Sequence, residues 1–262
     1  MKNNRLSWFS SSLAIFGFGL ISMVTVCAVP AVEKEETTRT YPLSAQGQIS
    51  LHNVNGGVDI GVWDRAEVEL KVTKTAKNQA DLDAVKIEID AEPDRIQIRT
   101  EYPENKGWKF KKGNSTQVYY KLLVPKNARL EDIADVNGSV DLRGVEGKVK
   151  VSTVNGALKA TGLASEASLS TVNGSLTAEF QRLDDSDVTL TSVNGTVHLS
   201  LPQEANAALS FTTVNGRVHG DLPTDARRTG KNVKATLGTG AAKVHASTVN
   251  GGIQVSLTKP SS

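Results

Sequence analysis

Apolar and polar residues alternate on both sides of a tripeptide, Val-Asn-Gly, that recurs along this chain. The tripeptide occurs seven times, and five consecutive copies are spaced 18 to 21 residues apart. In every copy the residues four positions before and three positions after the Asn are apolar, and the residue four positions after it is polar. This two-residue period predicts two half-buried strands per repeat, joined at the Asn-Gly step. The predicted turn residues are Asn55 and Gly56, Asn137 and Gly138, Asn155 and Gly156, Asn173 and Gly174, Asn194 and Gly195, Asn215 and Gly216, and Asn250 and Gly251.

Two all-β architectures fit this pattern. In an antiparallel β-meander each Asn-Gly is a two-residue hairpin turn, whereas in a β-solenoid each repeat of about 18–21 residues is one coil. The recurrent Val before Asn favours a solenoid, because there it can turn into a corner of the core while the Asn residues form a ladder. The expected solenoid is right-handed and β-helix-like. Asn and Gly tolerate positive φ, which suits a sharp corner. Coils stacked in chain order would place Gly174 centrally and Gly251 at an edge.

The chain divides at positions where this period begins and ends. Residues 61–131 break the period but keep short alternating runs, with one helical turn expected at 78–84, and they are predicted to be an irregular β-rich part that caps the stack. Residues 44–258 form a single predicted domain, whose regular repeats occupy 132–258. The segment 32–43 is predicted to be a linker, and 259–262 a tail.

The N-terminal residues 1–31 read as an export signal. Lys2 and Arg5 precede an uncharged run of 16 residues that ends at Ala28, which is short for a membrane-spanning helix. The prediction is a mature chain that starts at Val29 or Val32, has no transmembrane span, and is located in the periplasm, on the outer surface or outside a bacterial cell. An uncleaved membrane anchor is the alternative.

Charge and cysteine content narrow the classes of function. The chain carries 30 Lys and Arg against 28 Asp and Glu, and loss of the first 31 residues would leave 28 against 28. This balance argues against a nucleic-acid partner, which needs an excess of cations on one face. The single cysteine, Cys27, excludes a disulfide framework and a cysteine-rich metal site.

Several motifs resemble one known family. They include the opening stretch 47–56, the strand end Tyr120–Pro125, the Thr/Ser-Val-Asn-Gly turns, and the Leu-Pro links at Leu201 and Leu222. The chain resembles, over about 41–258, the bacterial putative-adhesin domain of unknown function, which is related to autotransporter-adhesin head domains. The resemblance implies an exported, β-solenoid-like domain of the cell envelope and supplies no catalytic residues.

Candidate chemical sites are weak. His198 and His219 occupy the same column one repeat apart and are expected to be neighbours, but two imidazoles fall short of a zinc site. Asp184, Asp185 and Asp187 lack the Gly and the bidentate Glu of a calcium loop. No catalytic motif, metal site or cofactor site is therefore predicted.

The function that the sequence favours is a non-catalytic scaffold of the cell envelope whose Ser/Thr-rich face contacts an unidentified polymer or protein partner. The alternative is a polysaccharide-active β-helix enzyme, which would need carboxylates that converge from adjacent coils. A candidate surface contact for a polyanion lies in the insertion that breaks the repeat. Its residues are Lys106, Trp108, Lys109, Phe110, Lys111 and Lys112.

Overall fold

The computed structural model describes residues 32–103 and 115–259, and strands dominate both ranges. One short helix, α1 (Gln79–Ala84), lies where the helical turn was expected. The strands are β1 (Glu33–Pro42), β2 (Gln48–Trp63), β3 (Glu67–Ala76), β4 (Lys86–Glu92), β5 (Arg95–Glu101), β6 (Gln117–Pro125), β7 (Arg129–Asn137), β8 (Val140–Arg143), β9 (Val149–Asn155), β10 (Leu158–Leu163), β11 (Ala167–Asn173), β12 (Leu176–Phe180), β13 (Val188–Asn194), β14 (Val197–Pro202), β15 (Ala207–Thr213), β16 (Val218–Gly220), β17 (Arg227–Thr229), β18 (Asn232–Leu237), β19 (Ala242–Asn250) and β20 (Ile253–Thr258).

Each repeat forms one coil with two strands. The strand before the Asn-Gly corner belongs to one sheet, called sheet I here, and the strand after the corner belongs to a second, sheet II. Strands pair in parallel with the equivalent strands of adjacent coils, so that Asn155 lies beside Asn173 and Leu158 beside Leu176. The antiparallel meander is therefore wrong for the repeats, since the two strands that flank a corner pair with other coils and not with each other.

The order of coils in space differs from their order in the chain. The last coil, β19 and β20, lies between the coil of β13 and β14 and the coil of β15 and β16. The β17–β18 hairpin then continues sheet I beyond β15 by antiparallel pairing. The expectation that Gly251 lies at the edge of the stack is consequently wrong, because its coil has a neighbour on each side.

The N-terminal end is built differently, since it combines parallel and antiparallel pairs. The long β2 bends at its corner and contributes to both sheets, and it lies between the β5–β6 coil and the β7–β8 coil. Next to the β5–β6 coil, β3 pairs antiparallel with β6, and β4 pairs antiparallel with β5. Helix α1 starts at an Asn78 side chain that accepts the backbone N–H of Asp81 at 2.8 Å.

The predicted linker at 32–43 is a strand instead. β1 pairs antiparallel with β3 over its whole length, from Glu33 opposite Ala76 to Pro42 opposite Glu67. Its sequence looks like a polar linker because an edge strand has one ladder and largely exposed faces, and charged residues there discourage pairing with another chain.

The apolar columns of the repeat pack between the two sheets as one core. Leu169 and Leu190 of sheet I and Leu176 and Val197 of sheet II are at most 1% exposed. Each such side chain contributes roughly 1.5–3 kcal/mol by its burial. Phe180 and Phe211 are the large aromatic members of this core in the repeats, and Tyr120 lies inside it near the N-terminal end.

Candidate interaction surfaces of the coil stack

The seven corner asparagines stack into one continuous ladder. Six of the side-chain amides donate from Nδ2 to the Oδ1 of an adjacent asparagine, at distances of 2.8 to 2.9 Å, and Asn55 at the end of the ladder accepts. These bonds satisfy exposed amides along the whole corner, which gives the ladder a structural role. The order of the ladder is Asn55, Asn137, Asn155, Asn173, Asn194, Asn250 and Asn215.

A second, buried ladder lies two positions before the asparagines. The Thr hydroxyl of one coil donates to the carbonyl oxygen of the corner Gly in the adjacent coil, as in Thr171 to Gly156 at 3.2 Å and Thr248 to Gly195 at 3.1 Å. Thr153 and Thr213 make the same bond at 3.0 Å. A buried hydroxyl needs such a partner, so this bond explains why Thr recurs at an inward position.

The corner glycines are required by the close approach of adjacent coils. A Cβ on Gly174 would lie 2.1 Å from the carbonyl oxygen of Gly156, and one on Gly251 would lie 2.0 Å from that of Gly195. Of the seven corner glycines only Gly56 has a positive φ, at 139°. The expectation of a positive φ at the corner glycines is therefore wrong for the other six, where contact between adjacent coils requires glycine.

The valine before each asparagine points outward. Val54 is 37% exposed and Val214 is 56% exposed, with most other members of the column between them. The prediction that this valine turns into the core is wrong, because the residues four and two positions before Asn already face inward and the Thr takes the corner position. The column forms an exposed apolar ridge beside the asparagine ladder.

The outer side of sheet I carries short hydroxyl side chains over five coils. Their strands lie side by side in the order β9, β11, β13, β19 and β15, at the usual strand spacing of about 4.8 Å. Thr191 and Ser247 from adjacent coils are within hydrogen-bond distance at 3.5 Å. We call this surface the hydroxyl face. Its residues are Ser152, Ser168, Ser170, Thr189, Thr191, Ser210, Thr212 and Ser247.

The outer side of sheet II brings two carboxylates together. Asp59 lies beside Asp141 on the adjacent coil, and Arg143 contacts both, at 3.2 Å and 3.0 Å. These contacts raise the pKa of the Arg143 guanidinium, chiefly through its hydrogen bond to Asp141. Glycoside hydrolysis needs two carboxyl groups in unlike environments, one of them kept protonated, whereas these two share one cation.

The two histidines of the same surface are not neighbours. Gln254 of the inserted coil lies between His198 and His219, opposite both in the strand register. The expected adjacency is therefore wrong, since it assumed that coils stack in chain order. Asp184 lies 3.4 Å from Arg182, and no group of three His, Cys, Asp or Glu suited to a metal ion occurs within 32–103 and 115–259.

A buried polar cluster lies near the N-terminal end of the inner ladder, where Asn53 and Asp135 replace Thr. The Asn53 amide donates to Asp135 Oδ2 at 3.2 Å and to the Val118 carbonyl at 3.0 Å. Its own Oδ1 accepts from Thr100, whose hydroxyl lies 2.7 Å from that of Tyr120. Burial raises the pKa values of Asp135 and Tyr120. Alignment of the repeats in the sequence shows Asn53 and Asp135 at the Thr position. It does not show that Thr100 and Tyr120 join the same buried cluster.

The asparagine ladder ends at Asn55, next to Tyr102. The Tyr102 hydroxyl donates to the backbone carbonyls of Asn55 and Thr116, at 3.2 Å and 3.3 Å, and burial raises the pKa of Tyr102 to about 12.

The lysine and aromatic stretch at 106–112 and the N-terminal segment 1–31 lie outside the described residues. The polyanion contact and the export signal therefore stay predictions. Among the described residues, no helix is long and apolar enough to cross a membrane.

Stacked, mostly parallel strands, repeated corners and extended outer faces define the class of this protein as an all-β, solenoid-like fold. A model of the Toastrack DUF4097 family matches residues 24–256, and the chain belongs to that family. No curated protein matches the sequence.

Solved structures with a similar fold come from bacteria. One, described as a putative cell adhesion protein from Clostridium sporogenes, is 12% identical, with 86% of this chain and 100% of that chain covered and a TM-score of 0.50. Another, described as a putative adhesin from Bacteroides fragilis, is 12% identical, with 84% and 97% covered and a TM-score of 0.41. At this identity the likeness concerns the fold.

Proposed function

We propose that this protein is an exported, non-catalytic scaffold of the bacterial cell envelope, and that its hydroxyl face binds an envelope polymer. In this proposal residues 1–31 direct export, and the mature chain is located in the periplasm, on the surface or outside the cell. The coils wind as a right-handed β-helix, the hand that parallel crossover connections almost always take.

The hydroxyl face is the observation that carries the proposal. One of its columns carries a hydroxyl on each of the five coils, the other is interrupted by Lys150 and His245, and the Asn and Thr ladders link the underlying coils. A rigid array of hydroxyl groups can hydrogen-bond a repeating polymer at many points, so weak single contacts add up along the chain. The name of the Clostridium sporogenes relative, a putative cell adhesion protein, supports a role in contact.

Binding of residues 32–262 to isolated bacterial envelopes tests this proposal. We expect the wild-type chain to sediment with the envelopes and a variant with Ser170→Gln and Thr191→Gln to remain in the supernatant, because longer side chains hold a polymer away from the face. The matched control, Thr177→Gln with His198→Gln, changes the same two coils on the outer side of sheet II. No sedimentation of the wild type would refute the function, and equal sedimentation of the two double variants would refute the role of the face.

A further inference from the structure

The hydroxyl face leads, at its C-terminal end, into a depression of about 650 Å³ lined by cations. We call it the basic trough. Its floor is formed by Ala208 and Ser210 on β15. Its rims carry Arg227, Lys234, Lys243 and His245, which come from β17, β18 and β19.

Strand register fixes how these side chains lie. Lys234 of β18 and His245 of β19 are opposite Ser210 on its two sides, and Lys243 is opposite Ala208. Residues opposite each other in adjacent strands point to the same side of a sheet, so all of these side chains face outward together. The rims are two strand spacings apart, roughly 10 Å, with short side chains between them.

The charges of the basic trough are not neutralised from within. Arg227 is directly opposite Lys234 in the β17–β18 hairpin, an arrangement of like charges that costs stability. In the described part of the chain, Arg227, Lys234 and Lys243 form no ion pair. Asp225, the one acidic residue lining the trough in the described ranges, accepts the Thr236 backbone N–H with both oxygens at 3.1 Å. Three cations against one carboxylate leave a formal charge of +2.

Several cations elsewhere in the sheets are paired with carboxylates. Lys126 lies 2.8 Å from Glu146, Lys148 lies 2.9 Å from Glu166, and Arg143 joins two aspartates. Unpaired cations gathered around one depression, with Arg227 and Lys234 directly opposite each other, are suited to bind an anion there. Small floor residues leave room for that anion between the rims.

We propose that the basic trough binds an acidic polysaccharide, whose negatively charged groups lie between the rims and whose sugar hydroxyls continue onto the hydroxyl face. This proposal rests on the proposed function and names the chemistry of the polymer. Ser210 belongs to both surfaces, so one extended chain can contact them together. Single-stranded nucleic acid is a poorer fit, because no Phe, Tyr or Trp side chain lines the trough in the described ranges, where the imidazole of His245 is the one aromatic ring.

The test measures binding of residues 32–262 to three soluble probes: polygalacturonate, neutral dextran of similar length, and single-stranded DNA. We expect polygalacturonate to bind more tightly than either of the others at about 0.01 M ionic strength, and to dissociate at about 1 M, where the Debye length is about 3 Å. The variant with Arg227→Gln, Lys234→Gln and Lys243→Gln should bind polygalacturonate at least about tenfold more weakly, as expected when several charge contacts are lost.

A matched control removes the same number and kinds of charge elsewhere. Arg217→Gln, Lys121→Gln and Lys159→Gln change residues that do not line the trough. With both triple variants compared at about 0.1 M ionic strength, where the Debye length is about 10 Å, this control should leave binding within about twofold. Equal weakening by both triple variants, equal binding of dextran, or tighter binding of DNA would each overturn the proposal. Envelope binding that survives loss of the trough cations would refute the trough alone, whereas absence of envelope binding would refute the proposed function.

Discussion

The regular coils and the N-terminal end of this protein achieve the same continuous core by different means. In the coils, Asn bonds to Asn, Thr bonds to the corner Gly carbonyl, and Gly packs against Gly of the adjacent coil, and these contacts recur along the stack. At the N-terminal end, Thr is replaced by Asn53 and Asp135, parallel pairing gives way to antiparallel pairing, and ion pairs such as Lys74 with Glu35 hold the edge. The repeated contacts depend on the same residue types in successive coils, whereas the contacts of the N-terminal end are each made by a different set of residues.

The largest expected effect comes from a single methyl group at a corner. Gly174→Ala should destabilise the protein by at least about 3 kcal/mol, because its Cβ would lie 2.1 Å from a backbone oxygen that cannot move without displacing a coil. Gly251→Ala should be equally severe, since its coil is internal. Gly61→Ala meets only Leu123 Cδ2 at 3.3 Å and should change stability by no more than about 1 kcal/mol. Urea unfolding measures all three, and similar losses for Gly61 and Gly174 would contradict the coil-contact explanation.

The next largest effect is expected from truncation of core side chains, which should cost more stability in the coils than at the N-terminal end. Leu190→Ala removes a side chain that is 0% exposed between two coils and should cost about 2–5 kcal/mol. Ile87→Ala, on the edge strand β4, removes a half-buried side chain and should cost about half as much. Thermal and urea denaturation of both variants provide the comparison. A larger loss for Ile87 would show that the N-terminal end limits stability.

The asparagine ladder should show a smaller effect that depends on position. Asn173 donates to Asn155 and accepts from Asn194, whereas Asn215 at the end only donates to Asn250. With about 0.5–1.5 kcal/mol for each hydrogen bond, Asn173→Ala should cost about twice as much as Asn215→Ala. Equal losses in denaturant melts would mean that the ladder contributes little and that the corner backbone is held by other contacts.

The smallest effect concerns pH and lies at the N-terminal end. Burial raises the folded-state pKa of Asp135 above its unfolded value of about 3.9. The folded state therefore holds the proton more firmly, and the resulting stabilisation is complete below that unfolded value and lost as pH rises through the raised pKa. The wild-type melting temperature should fall over this range relative to that of Asp135→Asn.

The exposed Asp90→Asn variant is the matched control for this pH prediction and should keep the wild-type dependence. The quantity compared is the slope of melting temperature against pH. The absolute melting temperature is not compared, because an amide at position 135 also changes hydrogen bonding. Parallel curves for the wild type and Asp135→Asn would show that the buried carboxyl does not titrate differently on folding.

The repeat was readable from sequence because stacking imposes the same demand on every coil. Alternation around Asn155 and Asn173 predicts both strands and the corner. The structure confirms an all-β fold of stacked strands. The order of the coils in the stack was not predictable. The coil at Asn250 has the same alternation of apolar and polar residues as the other coils, so its own sequence does not indicate which coils it lies between. The exposed valine was misassigned because a recurring apolar residue can form a surface column as well as a core one.

Surfaces were harder to predict than strands. Lys234 and Arg227 are adjacent across a hairpin, but Lys243 and Ser210 join them only because β19 lies next to β15. Linear charge counts cannot show such a cluster, because distant acidic residues balance it in the total. The hydroxyl face was partly visible as a Ser/Thr-rich column, and its extent became clear only from the lateral order of five strands.

The inserted last coil has a consequence for how the chain assembles. β13 must leave its edge open until β19 arrives, and the asparagines that meet there are 56 residues apart in sequence. Closing so long a loop makes this a late and slow event, unlike the step-by-step addition of neighbouring coils. Deleting β19 and β20 would therefore open a gap inside the stack and remove the parallel partners of β15 and β16. Insertion of β19 and β20, and not growth from one end, completes the stack.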